Sequence, residues 1–307
     1  MQAAGLTPSR RGEISVSYGR MTRVEQCPLC QGRRFAPFAK AQRQDVLLHS
    51  EQVRCRDCGL LISQPQASEA EIADFYAHAF YEQIWPDADA TNNAQQYRAD
   101  ELPLMQRLWA DWPPPPSASV VEVGCGNGEM LGLLRDAGFH VRGCDPGVRA
   151  VERCRSLGFD VVEGNSPGLP FPPSSFDVAV TFQVVEHVTD PRAFLGEVVR
   201  LVRPGGVVVV ATEDAWTSQT AWERQWSRIR LRTPEFRTAT DHTYVFQARH
   251  LRTLLEEQGC DVRTRSYTRD HGHENLHWRV YKTLFRSIDR MLGHGDYLMA
   301  VARVKKD

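Results

Sequence analysis

The chain has 307 residues, of which 42% are hydrophobic and 24% charged, with a formal net charge of -1. This composition suits a globular protein with one large core or two domains, and it excludes disorder throughout. The near-neutral charge lacks the basic excess of a protein that contacts many phosphates, so we expect no nucleic-acid partner. No apolar run reaches about 18 residues, and the N-terminus lacks an apolar signal-peptide region. We therefore expect a cytoplasmic protein without a membrane segment.

The N-terminal third divides into a tail, a cysteine-containing module and a helical connector. Residues 1–20 are polar and lack apolar periodicity, which predicts a mobile tail. Residues 21–66 carry two CxxC pairs and predict a small module. Residues 67–116 show helical spacing that starts at Ser68, with Glu71 three residues later, the pattern of a capping box. The run WPPPP that closes the connector cannot continue a helix and marks the next boundary.

Four cysteines of the module have the spacing of a metal site. Cys27 and Cys30 form CPLC, and Cys55 and Cys58 form CRDC followed by glycine. Two such pairs can supply four thiolates in a tetrahedron, the closed arrangement of structural zinc. Iron can use the same ligands, so the spacing leaves zinc and iron open. Because the protein would fill all four positions, we expect this metal to fold the module and not to catalyse.

From residue 117 onward, apolar strands alternate with amphipathic helices. The strand patterns are, in order, ASVVEV, HVRGCD, VVEG, FDVAVTF and VVVVAT, with helical patterns between most of them. Such alternation requires crossover connections and predicts a parallel sheet with helices on both faces. A helix, ARHLRTLLEEQG, and two strands, DVRTRSYT and YLMAVARV, follow. The prediction is an α/β domain over residues 117–307.

The first of these strands runs directly into Gly124, Gly126 and Gly128 at the start of a helix. Glycines let a ligand approach the backbone, and ligands of parallel sheets bind at the carboxyl ends of the strands. A nucleotide loop would have its third glycine where Glu129 stands, and a carboxylate there would oppose a pyrophosphate. Asp145 ends the second strand, where a carboxylate can accept ribose hydroxyls. Alone, these features also fit a glycine turn and a helix-capping aspartate.

The segment GNSPGLPFPPSSFDVAVTFQVVEHVTDPRAFLGEVVRLVRPGGVVVVAT follows the glycine loop. Together they resemble class I S-adenosylmethionine-dependent methyltransferases of the small-molecule type. The resemblance implies a Rossmann-like α/β fold, a seven-stranded mostly parallel sheet with YLMAVARV antiparallel, and S-adenosylmethionine as cofactor. It implies that Glu122, Gly124, Gly126 and Gly128 line the methionine end, Asp145 the ribose, Asn165 and Ser166 the adenine edge, and Phe182 and Gln183 the sulfonium.

Catalytic candidates must lie above the carboxyl ends of the strands, which favours His187, His242 and Tyr244. A base is needed only for an acceptor that must lose a proton, such as a hydroxyl. The segment around His187 is often structural in this family, and His242 with Tyr244 also fits a helix entry with one buried aromatic ring. Some quinone O-methyltransferases that resemble this stretch hold a divalent ion with ExxEH. Because Gln183 replaces the first carboxylate, we expect no catalytic magnesium.

A stretch rich in Trp and Arg before the next helix predicts a substrate lid. Trp222, Trp226 and Arg228 could close over a planar or anionic acceptor, although an amphipathic helix with solvated arginines fits the same pattern. We expect O- or N-methylation of a small molecule, such as a natural-product, sugar or glycan intermediate. The alternatives are an RNA methyltransferase that recognises its substrate with a zinc ribbon, and an inactive zinc-binding scaffold. The sequence leaves the oligomeric state open.

Overall fold

The structure, a computed structural model, describes residues 6–8, 14–16, 21–41, 51–79, 97–214, 235–236, 242–267, 287–289, 291 and 294–306. The strands are β1 Leu6–Pro8, β2 Ile14–Val16, β3 Phe35–Ala41, β4 Glu51–Cys55, β5 Leu61–Gln64, β6 Ser119–Val123, β7 His140–Asp145, β8 Asp160–Glu163, β9 Phe176–Phe182, β10 Val202–Glu213, β11 Glu235–Phe236, β12 Tyr244–Val245, β13 Cys260–Tyr267 and β14 Tyr297–Val304. The α-helices are α1 Glu69–Asp74, α2 Leu102–Leu108, α3 Glu129–Asp136, α4 Val148–Ser156, α5 Pro191–Arg200 and α6 Ala248–Glu257. Two π-helical segments, Phe75–Ala79 and Tyr97–Glu101, adjoin α1 and α2. Within these ranges, none of the helices combines the length and apolar character needed to cross a bilayer.

Seven strands form the main sheet in the order β13-β14-β10-β9-β6-β7-β8. The pairs from β10 to β8 are all parallel, and β14 is antiparallel to both of its neighbours. This confirms the predicted Rossmann-like α/β fold and the antiparallel YLMAVARV strand. The strand order reverses between β9 and β6, and ligands of open parallel sheets bind at such a switch point. The glycine loop follows β6 at that point.

Alternate residues of the central strands enter cores on opposite faces of the sheet. Val208 and Val210 pack in one core with Leu195 and Val198 of α5, while Val209 packs in the other with side chains of α2 and α3. Side chains that point alternately to two covered faces explain why these strands have near-continuous apolar sequences. The sheet is therefore a rigid base for the loops at its carboxyl edge.

A second sheet of five strands, in the order β11-β3-β4-β5-β12, contains the cysteine module. Strands β3, β4 and β5 come from the predicted module, whereas β11 and β12 come from the chain after β10. The capping box of α1 is confirmed: Ser68 Oγ accepts the Glu71 N–H, and the Ser68 N–H donates to Glu71 Oε2. In the predicted tail, β1 and β2 pair antiparallel. The domain boundaries and the mobility of the tail stay predictions.

Candidate active site

The glycine loop is shaped by backbone conformations that other residues rarely adopt. Gly124, Gly126 and Gly128 all have positive φ, of 76°, 51° and 84°. A Cβ on Gly124 would also collide with the side chain of Val184 in the loop after β9. Glycine at position 124 is thus required both by conformation and by the close approach of two loops. The loops after β6 and β9 thus meet at the switch point of the sheet, and we call this region the crevice.

Asp145, at the end of β7, holds this loop in place. Its Oδ2 accepts the Gly126 N–H at 2.9 Å and its Oδ1 accepts the Gly147 N–H at 2.8 Å. The residue is only 3% exposed. Both carboxylate oxygens thus fix the backbone around the loop, and the contact of Asp145 with the ribose stays a prediction. Sequence reasoning gave Asp145 a ribose contact but missed its contact with the glycine loop.

Buried polar atoms without hydrogen-bond partners collect around the crevice. Glu122 Oε2, Glu129 Oε1 and Gln183 Nε2 are buried and find no partner among the described residues. Burial raises the pKa of both carboxyl groups, and the nearby Glu129 raises that of Glu122 further. Orphaned buried groups of this kind indicate a missing polar ligand. Two acceptors and one amide donor suit the ammonium and carboxylate of the methionine end of S-adenosylmethionine.

The other predicted cofactor residues lie at the same edge of the sheet, with different surroundings. Asn165 is exposed, and its Oδ1 accepts the N–H of half-buried Ser166 at 2.9 Å. Phe182 is 4% exposed at the end of β9, with its ring centroid 5.7 Å from that of Tyr97. Gln183 follows with a φ of 55°. Their contacts with the adenine and the sulfonium stay predictions.

Two of the three catalytic candidates meet in one buried cluster. The ring centroids of His187 and His242 lie 4.7 Å apart. Glu186 joins them, and one ligand atom of each of the three residues lies within 4.8 Å of the others. Glu186 is fully buried, and this burial raises its pKa to about 7, although His242 opposes the increase. Glu186 and His187 belong to the loop after β9, shortly after Gln183, whereas His242 belongs to the segment that leads into β12.

Two residues that sequence reasoning missed complete the cluster. Glu213 Oε2 lies 3.1 Å from His242 Nδ1, and the Tyr76 hydroxyl shares a 2.8 Å hydrogen bond with His187 Nδ1. Glu213 ends β10, so its position at the carboxyl edge could have identified it. Tyr76 comes from the π-helical segment far earlier in the chain, and no local pattern connects it with the site.

The side chain of Tyr244, the third catalytic candidate, makes its hydrogen bond outside the cluster of histidines. Its hydroxyl donates to the Thr189 carbonyl at 2.7 Å, and the residue is 2% exposed in the core. Burial raises its pKa above the ordinary tyrosine value. A phenol that is both harder to ionise and already donating is a poor proton acceptor, so we give Tyr244 a packing role. The lid candidates Trp222, Trp226 and Arg228 lie outside the described residues.

The four predicted metal ligands converge in the five-stranded sheet. Cys27 Sγ lies 3.6 Å from Cys58 Sγ, and Cys30 Sγ lies 3.6 Å from Cys55 Sγ. All four sulfur atoms lie within 4.8 Å of one another. The hydrogen bond with Cys58 is the main cause that lowers the pKa of the Cys27 thiol to about 5. A tetrahedral zinc ion with bonds of about 2.3 Å requires sulfur separations of about 3.8 Å, which these distances approach.

The parallel sheet, the glycine loop at its switch point and the aspartate at the end of the next strand define the class: a Rossmann-like S-adenosylmethionine-dependent methyltransferase. A family model described as a methyltransferase domain matches residues 93–265, more than half of the chain. The chain therefore belongs to this methyltransferase-domain family.

Individual relatives agree with this class, and one of the two described next is a tRNA methyltransferase. A probable S-adenosylmethionine-dependent methyltransferase of Mycolicibacterium smegmatis is 34% identical over 145 residues, 47% of this chain and 52% of the relative. The tRNA (carboxymethyluridine(34)-5-O)-methyltransferase of Arabidopsis thaliana is 28% identical over 166 residues, 53% of this chain and 38% of the relative. The chain thus spans about half or less of these relatives.

One solved structure supports the fold. A chain in a complex of the Haloferax volcanii Trm112 methyltransferase activator aligns with a TM-score of 0.51 and 19% identity, over 72% of this chain and 97% of its own length.

Proposed function

We propose that this enzyme methylates a hydroxyl group of a small-molecule acceptor, and that His242 takes up the proton lost by the hydroxyl. The observation that carries the proposal is the buried cluster of His187, His242, Glu186 and Glu213 at the carboxyl edge of the sheet. A methyl transfer to an amine can proceed without a base, whereas a hydroxyl must lose a proton. A proton acceptor beside the methyl donor therefore favours O-methylation.

Glu213 prepares His242 for this role. Glu213 Oε2 lies 3.1 Å from Nδ1 without the geometry of a hydrogen bond, and its negative charge favours the tautomer with the proton on Nδ1, which leaves Nε2 as the acceptor. A carboxylate at that position also stabilises the imidazolium formed after proton transfer. Because His242 is only 5% exposed, water screens this interaction little.

When bound, S-adenosylmethionine supplies a methyl group on a positively charged sulfur. The acceptor oxygen would receive this methyl group, and the proton of its hydroxyl would pass to His242 Nε2. Alignment of the reacting atoms supplies much of the rate, and the glycine loop and Asp145 would hold the cofactor for it. The Tyr76 hydroxyl fixes the ring of His187 against His242.

We also propose that zinc occupies the cysteine site, where it would be structural. Four sulfur ligands leave no open position for substrate. None of the eight cysteines is in a disulfide, which fits a reducing compartment such as the cytoplasm. We further propose that Trp222, Trp226 and Arg228 belong to a lid that selects the acceptor.

An RNA acceptor is the second candidate, because several relatives are tRNA methyltransferases. Two guanidinium groups also support it: Arg54 and Arg249 both approach Gly59 beside the cysteine site. Paired arginines bind phosphates well. The near-neutral net charge of the whole chain weighs against extensive phosphate binding.

The test is a transfer assay with tritium-labelled methyl S-adenosylmethionine. The acceptors are a panel of phenols, catechols and sugar nucleotides, and in parallel total tRNA with and without ribonuclease. We expect label on a small-molecule hydroxyl, with most turnover lost in His242→Gln and cofactor binding retained. Label that appears only in ribonuclease-sensitive tRNA would replace the small-molecule proposal with the RNA one. Unaltered turnover of His242→Gln would remove the base.

A further inference from the structure

The segment that carries His242 is part of the sheet of the cysteine module. Strand β12 pairs antiparallel with β5, with Tyr244 opposite Ile62 and Val245 opposite Leu61. The Ser63 N–H extends this pairing by donating to the Thr243 carbonyl at 2.9 Å. His242 is the next residue before Thr243, so its backbone is attached to β5.

The same segment is fixed on its other edge by the catalytic loop after β9. The N–H groups of Thr243 and Tyr244 both donate to the Glu186 carbonyl, at 2.8 and 3.1 Å. The backbone of residues 243–244 therefore bridges the module and the loop that carries Glu186 and His187. The relative placement of the two histidines depends on this bridge.

A second contact holds the end of the segment on the module. His250 Nε2 lies 3.0 Å from the Cys58 carbonyl, and its Nδ1 accepts the Gln247 N–H at 3.1 Å. His250 is 1% exposed. Residues 243–250 are thus attached to the module at both ends, by β5 and by the turn that carries a thiolate ligand.

Strand β5 in turn depends on the cysteine turn that precedes it. The Cys55 N–H donates to the Leu60 carbonyl at 2.9 Å, the Gly59 N–H donates to the Cys55 carbonyl at 3.0 Å, and Gly59 has a φ of 84°. A two-residue strand such as β12 has little stability of its own. In a small module, metal binding supplies much of the folding free energy. Loss of the metal should therefore loosen β5 first and β12 with it.

We propose that the cysteine module is a scaffold of the acceptor site, which positions His242 through the pairing of β5 with β12. The inference rests on the proposed role of His242 in proton transfer. The module then acts on the rate of transfer and not on cofactor binding, because the glycine loop and Asp145 belong to the other sheet.

Position 63 allows a matched test, because the contact is made by a main-chain N–H. Ser63→Pro removes this donor, whereas Ser63→Ala keeps it and controls for loss of the hydroxyl. The zinc-loaded full chain is labelled with ¹³C at histidine Cε1, and the His242 resonance is assigned from its loss in His242→Gln. We expect Ser63→Ala to match the wild type and Ser63→Pro to displace or broaden the His242 resonance. Binding of S-adenosylhomocysteine by calorimetry should be unchanged in both variants.

Turnover on the best acceptor should fall about tenfold or more in Ser63→Pro, since a misplacement of about 1 Å can cost on the order of 100-fold. If Ser63→Pro does not fold, chelation of the metal from the wild-type protein replaces it. The His242 resonance should then move on chelation and return when zinc is added. An unmoved His242 resonance in folded Ser63→Pro, or after complete metal removal, refutes the scaffold. Retained turnover in His242→Gln would instead refute the catalytic role, whatever the resonance does.

Discussion

Replacement of Glu186 by glutamine tests the electrostatics of the buried cluster directly. Glu186 is fully buried, neither of its side-chain oxygens has a hydrogen bond of good geometry among the described residues, and burial raises its pKa from 4.5 to about 7. Between these two pH values the unfolded chain releases the Glu186 proton while the folded protein retains it. The free energy of unfolding of the wild type must therefore fall as the pH rises through this window.

The size of the effect follows from the shift in pKa. An increase of the pKa from 4.5 to about 7 corresponds to about 3 kcal/mol when complete, and most of it develops between pH 5 and pH 8. Glutamine keeps the shape of the side chain and cannot ionise. The stability of Glu186→Gln relative to the wild type should thus rise by about 2–3 kcal/mol across the same interval.

Urea unfolding of both proteins at pH 5 and pH 8, with thiols reduced and zinc constant, measures this difference. Comparison at each pH cancels the titration of groups that do not interact with Glu186. Glu152→Gln, an exposed substitution on α4, controls for the change from acid to amide. A difference between Glu186→Gln and wild type that does not change with pH would show that Glu186 is ionised at pH 5, and the reasoning from burial would fail.

Three further substitutions separate cofactor binding from packing. Gly124→Ala places a Cβ against Val184 at a positive φ, so we expect a loss of about 1–3 kcal/mol in unfolding free energy and weaker S-adenosylhomocysteine binding, measured by denaturation and calorimetry. Asp145→Asn keeps the size of the side chain but replaces one acceptor oxygen with a donor. Calorimetry should show at least about tenfold weaker S-adenosylhomocysteine binding, and unchanged affinity would contradict the ribose assignment. Tyr244→Phe removes the donor to Thr189, so stability should fall by about 1 kcal/mol while turnover stays near wild type; a large loss of turnover would restore Tyr244 to the chemistry.

The main sheet could be predicted because each of its units carries a local signal. Strands such as β9 and β10 are continuous apolar runs, and the helices between strands repeat their apolar residues at helical spacing. The glycine loop could be placed for the same reason, since Gly124 directly follows β6. The spacing of Ser68 and Glu71, which lie three positions apart, was enough to predict the helix cap. These features depend on residues that are close together in the sequence, so their patterns can be recognised without the structure.

The candidate acceptor site could be predicted only in part, because its contacts join distant segments. His187 follows β9 of the parallel sheet and His242 comes later in the chain after β10, so the general rule about carboxyl ends was enough to select both. The Tyr76 contact comes from a π-helical segment, and no periodicity in that region indicates a partner more than a hundred residues away. Glu213 is the last residue of β10, so the rule about carboxyl ends also applies to it.

The pairing of β5 with β12 was the least predictable feature, and it changes how the cysteine module should be understood. A strand of two residues has no alternation to detect, so β12 looked like the entry to α6. The sequence predicts the module, the connector and the catalytic domain as successive segments. The five-stranded sheet instead combines three strands of the module with β11 and β12 of the predicted catalytic domain. Leu60 and Ile62 also share one core with Tyr244 and Phe246. The proposed metal site would be closed to substrate and would still affect catalysis, because its sheet and core include the segment that directly follows His242, the proposed proton acceptor.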